Sequence, residues 1–523
     1  MKLSKPNILM LMTDQHNPNV MGPHNRYGAE TPSLDRLAGK SMVFTRAFCN
    51  SPICVPSRMS LMTGLFPQHH QVYDNGGSLP EGMPTYAHGL NQAGYETVIC
   101  ARMHFNGLDD HHGFEKRLMS EFCNPIEYPP PLPEWQGPID PEYGGVGPRE
   151  IPHVVNDSCG LYYDDDIAGK ACDYLRGKSW GDRPFYLLTS FYGPHPYMSA
   201  REEYLPAYEK YLQEDLGVRE LDQQEFEALP AHVRRIICGK NAKAQVLSKE
   251  AIQEYRAEYL ARITYTDGLI GKVLDTLEEE GLSEDTIIIY LSDHGEQMGN
   301  HGICGKSVFY DDTVRVPLMI SMPDRNGGPV QADVQLVDLF PTLLDMAGAP
   351  QPGYFLDGHS LMPLIENPDT EWNHPVFSAF FDAQAYRPSF MLKEGNWKYV
   401  EYPGESCFLY DQNQDPEEKI NFALNPAFQD VVKRLQDRML DICNPLLIEK
   451  EARIMQAKRR YAIQGTASSR LIKERMQKRI RDHRNSWNER YWDGNQKQSA
   501  HESFIDPDVN IDPTDPNSFG QKL

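Results

Sequence analysis

Five short runs rich in apolar and β-branched residues, Asn7 to Thr13, Glu96 to Cys100, Phe185 to Ser190, Thr286 to Ser292 and Val316 to Met322, recur along the chain with amphipathic stretches between them. Strands that are apolar throughout must be covered on both faces, and parallel neighbours need long crossovers, usually helical. The alternation therefore predicts an α/β fold with a large mixed, mainly parallel sheet sandwiched by helices. Between two of these runs, Glu254 to Glu280 carries Tyr255, Tyr259, Ile263, Ile270, Val273, Leu274 and Leu277 at roughly helical spacing, which predicts one long covering helix.

With 523 residues, 40% of them hydrophobic and 24% charged, the chain can build one large core and a smaller partner, and a mainly disordered or fibrous protein is excluded. Three segments are expected: a large domain over 1–370, a small α+β domain over 371–448, and a basic helix with a polar tail over 449–523. The second rests on short strands at Ser389 to Lys393 and Trp397 to Glu401, a turn at Tyr410 to Pro416 and a helix near Ala427 to Ile442. The third reads either as a solvated helix and tail or as an arm for homo-oligomer assembly. Prolines crowding Pro125 to Pro152 mark a surface excursion that could shape an entrance.

A formal net charge of −23 opposes broad capture of nucleic acid or anionic membrane, because the overall field repels polyanions. A local basic pocket is compatible with that field. The apolar run Ile8 to Met12 is too short for a signal-peptide core or a membrane span, so the expectation is a cytoplasmic protein with no membrane partner. Ten cysteines are scattered without a C-x-x-C pair or finger-like spacing, and in a reducing compartment most are small buried apolar residues. Cys54 stands apart because of its neighbours.

Cys54-Val55-Pro56-Ser57-Arg58 runs into Met59-Ser60-Leu61-Met62-Thr63-Gly64. Pro56 suits the first turn of a helix, which puts residue 54 at a helix N-terminus whose amides favour anions. The segment resembles the C-x-P-S-R signature of the type I sulfatases of the alkaline phosphatase superfamily, in which a dedicated formylglycine-generating enzyme converts the cysteine to formylglycine. Thr31 to Leu37, Tyr73-Asp74-Asn75, Gly94 to Thr97, Val314 to Pro317 and Asp415-Pro416 look like landmarks of the same family. The resemblance covers most of residues 6–440, and Tyr73 to Phe114 is especially similar to choline sulfatases. It implies an alkaline-phosphatase-like fold for 1–370 and hydrolysis of a small-molecule or saccharide sulfate ester to alcohol and inorganic sulfate.

Such chemistry calls for a divalent metal on hard oxygen donors at the carboxyl edge of the sheet, where Asp14 and Asp293 each close a predicted strand. The pairs Asp14-Gln15 and Asp293-His294 resemble the choline-sulfatase and phosphonate-monoester-hydrolase side of the superfamily. The implied metal set is Asp14, Gln15, residue 54, Asp293 and His294, with Ca²⁺ expected and Mn²⁺ as the alternative. Arg102-Met103-His104 resembles the family's K-x-H element with Arg in place of Lys; arginine binds sulfate but donates no proton at neutral pH. Pro194-His195-Pro196 resembles the leaving-group histidine, and Lys306 stands where the family's second lysine follows the D-H/N-G segment. Asn75 is a substrate-side polar contact on the same resemblance. The pairs His69-His70 and His111-His112 are read as structural or surface residues.

The mechanism so implied has an aldehyde hydrate at residue 54 attack sulfur in line while Arg58, Arg102 and Lys306 offset charge on the equatorial oxygens. His195 protonates the leaving alcohol, and His104 takes the proton of the second hydroxyl so that sulfate leaves and the aldehyde returns. Two other readings stay open: a phosphonate monoester or phosphodiester hydrolase using the same site, and a non-catalytic binding protein on the same fold.

Overall fold

The central strand Asn7–Asp14 (β1) is buried at every position, as its unbroken apolar run requires. In chain order the sheet continues with Met42–Phe48 (β2), Glu96–Ala101 (β3), Lys116–Met119 (β4), Phe185–Pro194 (β5), Thr286–Ser292 (β6), Arg315–Val316 (β7), Leu318–Ser321 (β8) and Gly328–Gln335 (β9). These nine strands lie in the order β4-β3-β5-β1-β6-β8-β2, with β7 and β9 also paired to β2. The half from β4 to β6 is all parallel, as is the β2/β9 pair, whereas β8 runs antiparallel to β6 and β2. The run expected as one strand from Val316 to Met322 is divided at Pro317, which has no N–H to give to a ladder. The computed structural model describes residues 5–22, 25–107, 109–119, 163–179, 181–195, 202–238, 247–381 and 387–464, so the proline-rich stretch and the polar tail lie outside it.

Successive side chains of β1 feed two cores. Ile8, Met10 and Met12 pack with the helices Cys54–Thr63, Tyr86–Gln92 and Leu339–Ala347 on one face. Leu9 and Leu11 pack with Pro32–Ala38, Tyr163–Arg176 and Lys249–Glu279 on the other. The last of these is the long covering helix; it begins at Ser248, whose hydroxyl accepts the Ala251 N–H, and buries all seven of the apolar positions named above.

A separate antiparallel sheet follows, made of Val376–Phe380 (β10), Ser389–Glu394 (β11), Trp397–Glu401 (β12) and Phe408–Asp411 (β13). The helix Gln429–Ile442 covers it through Leu435 and Met439. Asn50 ties the two sheets together, its Nδ2 donating to Gln335 Oε1 at 3.0 Å and to the Phe377 carbonyl at 2.9 Å. The next helix, Pro445–Gln464, crosses the 448/449 boundary drawn from sequence and packs Ile448, Ala452 and Met455 into the core of the small domain. The described part of the basic segment is therefore docked rather than free-standing. Among the described residues no helix is long and apolar enough to cross a membrane.

Candidate active site

Strand register gathers distant residues on one edge of the large sheet. Thr13 pairs with Ser292, so Asp14 and Asp293 leave β1 and β6 side by side. Asp14 is level with Pro194 of β5, which brings His195 beside them, and Ala101 of β3 is level with Ser190, so Arg102 and His104 follow at the same edge. Gln15, Ala101 and His104 hold positive φ of 66°, 72° and 59°. Non-glycine residues in that region cost about 1–3 kcal/mol each and persist where the surroundings over-determine them, typically at functional sites.

The helix Cys54–Thr63 is buried along its whole length and points its N-terminus at this edge. Cys54 Sγ lies 3.3 Å from His294 Nε2, 3.7 Å from Asp14 Oδ1 and 3.1 Å from Lys306 Nζ. Asn75 Oδ1 accepts the Val55 N–H at 3.0 Å, so the expected substrate contact is also the cap of this helix. Ser57 Oγ donates to the Asp293 carbonyl at 2.6 Å and fixes the helix against β6.

Arg58 departs from the role expected of it. Its Nε donates to Asp293 Oδ2 at 2.8 Å, Nη2 to Asp14 Oδ2 at 3.0 Å, and Nη1 to the Arg102 carbonyl and Ser190 Oγ at 2.6 and 3.1 Å. With those donors committed and the side chain fully buried, at most one Nη2 hydrogen is left for a ligand. Arg58 thus braces the two carboxylates and keeps little donor capacity for anything else. Burial alone would raise the Asp14 pKa, but Arg102, His195, Arg58 and Lys306 hold it well below the ordinary carboxylate range.

Asp14, Cys54, Asp293 and His294 each offer a ligand atom within 4.8 Å of the others. The His294 Nδ1 stands 3.0 Å from the Gly295 carbonyl, so it carries the proton and Nε2 presents its lone pair to the cluster. Burial pushes the His294 pKa down, which keeps the ring neutral and able to ligate. Gln15 Oε1 is buried and accepts no hydrogen bond among the described residues. Its Nε2 donates to Glu296, which in turn accepts the Met298 and Gly305 N–H groups. A buried amide oxygen without a donor, beside two carboxylates and an oriented imidazole nitrogen, fits a divalent cation.

Arg102 Nε donates to Asp14 Oδ2 at 2.7 Å, and its guanidinium sits 4.8 Å from the centre of the Tyr192 ring, which in turn packs on His195. Arg102 Nη2 lies 3.1 Å from His104 Nδ1. Since arginine only donates, Nδ1 must accept and the His104 proton resides on Nε2, so this ring offers an N–H rather than the lone pair expected of a base.

The family pattern described as Sulfatase matches residues 6–349, and that described as N-sulphoglucosamine sulphohydrolase, C-terminal, matches 299–444. A choline-sulfatase from Rhizobium meliloti is 33% identical over 441 residues, 82% of this chain and 84% of that protein. The chain belongs to the sulfatase family. Its fold is shared with the phosphonate monoester hydrolase of Agrobacterium radiobacter, with a TM-score of 0.68 at 24% identity over 84% of this chain and 95% of the other. A 2-O GAG sulfatase superposes with a TM-score of 0.66 at 23% identity, covering 84% and 92%. This sulfatase also depends on residues with no motif to announce them. Asp164 accepts the Tyr192 and Gly193 N–H groups, both at 2.7 Å, and Arg262 Nη1 donates to the His195 carbonyl at 2.9 Å, so two helices hold the histidine loop. A Cβ on Gly193 would come within 2.4 Å of Thr266 Oγ1, which makes glycine obligatory there. Glu296, fully buried, could have been suspected from the sequence only by its place directly after Asp293-His294-Gly295.

Proposed function

We propose that this sulfatase cleaves a small-molecule or saccharide sulfate ester with a formylglycine made from Cys54 beside a divalent cation held by Asp14, Gln15, Asp293 and His294. The observation that carries the reading is Cys54 Sγ, at a helix N-terminus, within 3.7 Å of Asp14, His294 and Lys306 at once. When formed, the hydrated aldehyde supplies an oxygen nucleophile and the cation lowers that oxygen's pKa. The imidazole in the donor set favours Mn²⁺ over Ca²⁺, since calcium takes oxygen ligands almost exclusively.

The chain's own residues then divide the work. Arg58 fixes the carboxylates, and Lys306 and Arg102 offset charge on the ester oxygens. His195 protonates the leaving alcohol. The base role expected of His104 passes to His195, which is able to accept a proton once it has given one away, while His104 donates its Nε2–H. The cytoplasmic location belongs to the same proposal and is supported by the free thiols of Cys49, Cys100, Cys172, Cys407 and Cys443.

The test is co-expression with a formylglycine-generating enzyme, mass spectrometry of the peptide containing residue 54, and a screen of choline, aryl, monosaccharide and steroid sulfates against an aryl phosphonate. An aldehyde mass with a sulfate ester as best substrate is expected. Preferred cleavage of the phosphonate would move the assignment to phosphonate monoester hydrolysis; an unaltered cysteine and no cleavage would leave a binding protein.

A further inference from the structure

The helix Pro445–Gln464 reaches back to the rim of the site. Arg459 Nη2 donates to both oxygens of Asp74, at 2.6 and 2.7 Å, and Gln456 Nε2 donates to Asp74 Oδ2 at 2.7 Å and to the Phe381 carbonyl at 3.1 Å. Asp74 is 1% exposed, so the pair is desolvated on the carboxylate side, and its Oδ1 also accepts the Gly76 N–H at 2.9 Å. Next to it, Asn75 accepts the Val55 N–H through Oδ1, while its backbone carbonyl and that of Gly77 accept from Asn106 Nδ2 at 2.6 and 2.7 Å. No Cβ fits at Gly77, where it would come within 2.8 Å of Val72 Cγ1.

We propose that Arg459 and Gln456 are positioning residues for ester binding, acting through Asp74 on the Asn75 loop that caps the nucleophile helix. A planar amide whose oxygen is committed to Val55 turns its NH₂ away from the helix, and Asn75 Nδ2 donates to no described residue. Its aim is set by the loop, and the loop by the clamp. Both clamp residues lie beyond residue 444, where the family-pattern matches end. This inference rests on the sulfate-ester reading of the site.

The experiment compares the full-length matured protein with Arg459→Met, Arg459→Lys, Asp74→Asn and the Asp74→Asn/Arg459→Met double variant, using 4-nitrophenyl sulfate as the probe and amide hydrogen exchange of the 73–77 loop. Arg459→Met is expected to raise KM about tenfold or more with kcat little changed, as loss of a desolvated charge-assisted contact predicts. Arg459→Lys recovers most of that loss. The double variant is no worse than Arg459→Met alone, and loop exchange in Arg459→Met rises about tenfold. A KM within about twofold of wild type, or losses in kcat and Tm together with no recovery by lysine, overturns the proposal. If matured wild type cleaves no ester, the functional reading fails by itself, and unchanged exchange in the 73–77 loop would then overturn the clamp separately.

Discussion

Replacing Arg58 by methionine keeps an unbranched apolar stem and removes the charge between two buried carboxylates. Arg102 Nε still holds Asp14 at 2.7 Å, so the deficit falls chiefly on Asp293. Among the described residues that carboxylate then keeps hydrogen bonds from the Gln15 and His294 backbone amides alone, each at 3.0 Å from Oδ1. Removing one member of a buried ion pair costs about 3–5 kcal/mol, and the surviving amide donors place this case near the lower end, about 3 kcal/mol. A cation stabilises wild type and variant alike, so the gap closes only as far as the variant, freed of the guanidinium's repulsion, binds it more tightly, and a hundredfold lower Kd offsets about 2.7 kcal/mol. Arg58→Met should therefore unfold about 3 kcal/mol more easily than wild type in EDTA and recover most of the difference in saturating Mn²⁺, as followed by urea denaturation. A deficit under about 1 kcal/mol in EDTA, or an equal deficit with and without metal, would refute the bracing role.

Cys54→Ala is expected to lose all ester cleavage with an unchanged circular dichroism spectrum; retained turnover would reject residue 54 as the nucleophile. Glu296→Ala releases Gln15 and should weaken Mn²⁺ binding about 10–100-fold by calorimetric titration, the usual effect of losing a group that orients a ligand. His195→Asn should lower kcat by about 10²–10⁴ for esters of poorly leaving alcohols and much less for activated aryl sulfates; an equal loss on both would assign the proton elsewhere. The hydrogen bond to Asp357 raises the His69 pKa above its ordinary value, with burial opposing. A raised histidine stabilises fully below the unfolded value of about 6.5 and loses that contribution as pH climbs through the folded value. His69→Gln should thus lower Tm near pH 5.5 and leave it unchanged near pH 9; equal shifts at both would show that the pair carries no linkage.

The half of the sheet that carries the chemistry was legible because its strands are apolar on both faces, and such runs end visibly. Asp14 and Asp293 follow Met12-Thr13 and Leu291-Ser292, and parallel register makes those ends coincide. Two strands were not, since β4, Lys116–Met119, and β9, Gly328–Gln335, carry Lys116, Gln331 and Asp333, which break the apolar signal. Roles were harder to read than identities. The motif reveals an arginine four residues beyond Cys54, but only packing shows its donors spent on Asp14, Asp293, Ser190 and the Arg102 carbonyl. The same holds for His104, whose tautomer depends on a neighbour two residues away that only donates.

An acidic chain still has to attract an anionic ester, and the site solves this by local imbalance. Around residue 54 stand the guanidinium groups of Arg58 and Arg102 and the Lys306 ammonium, against the carboxylates of Asp14 and Asp293. His294 is held neutral by burial and adds no charge of its own. The proposed divalent cation would raise the excess of positive charge further, at an edge where Asp14, Asp293, Arg58 and His294 are all sealed from solvent and fields are screened weakly. Because Arg58 and Arg102 already neutralise the carboxylates at short range, the charge of the proposed cation would not be consumed by its own ligands and would extend to the incoming ester. The two arginines would thus do at the level of the field what they do at the level of packing: they would let two buried acids hold a cation without cancelling it.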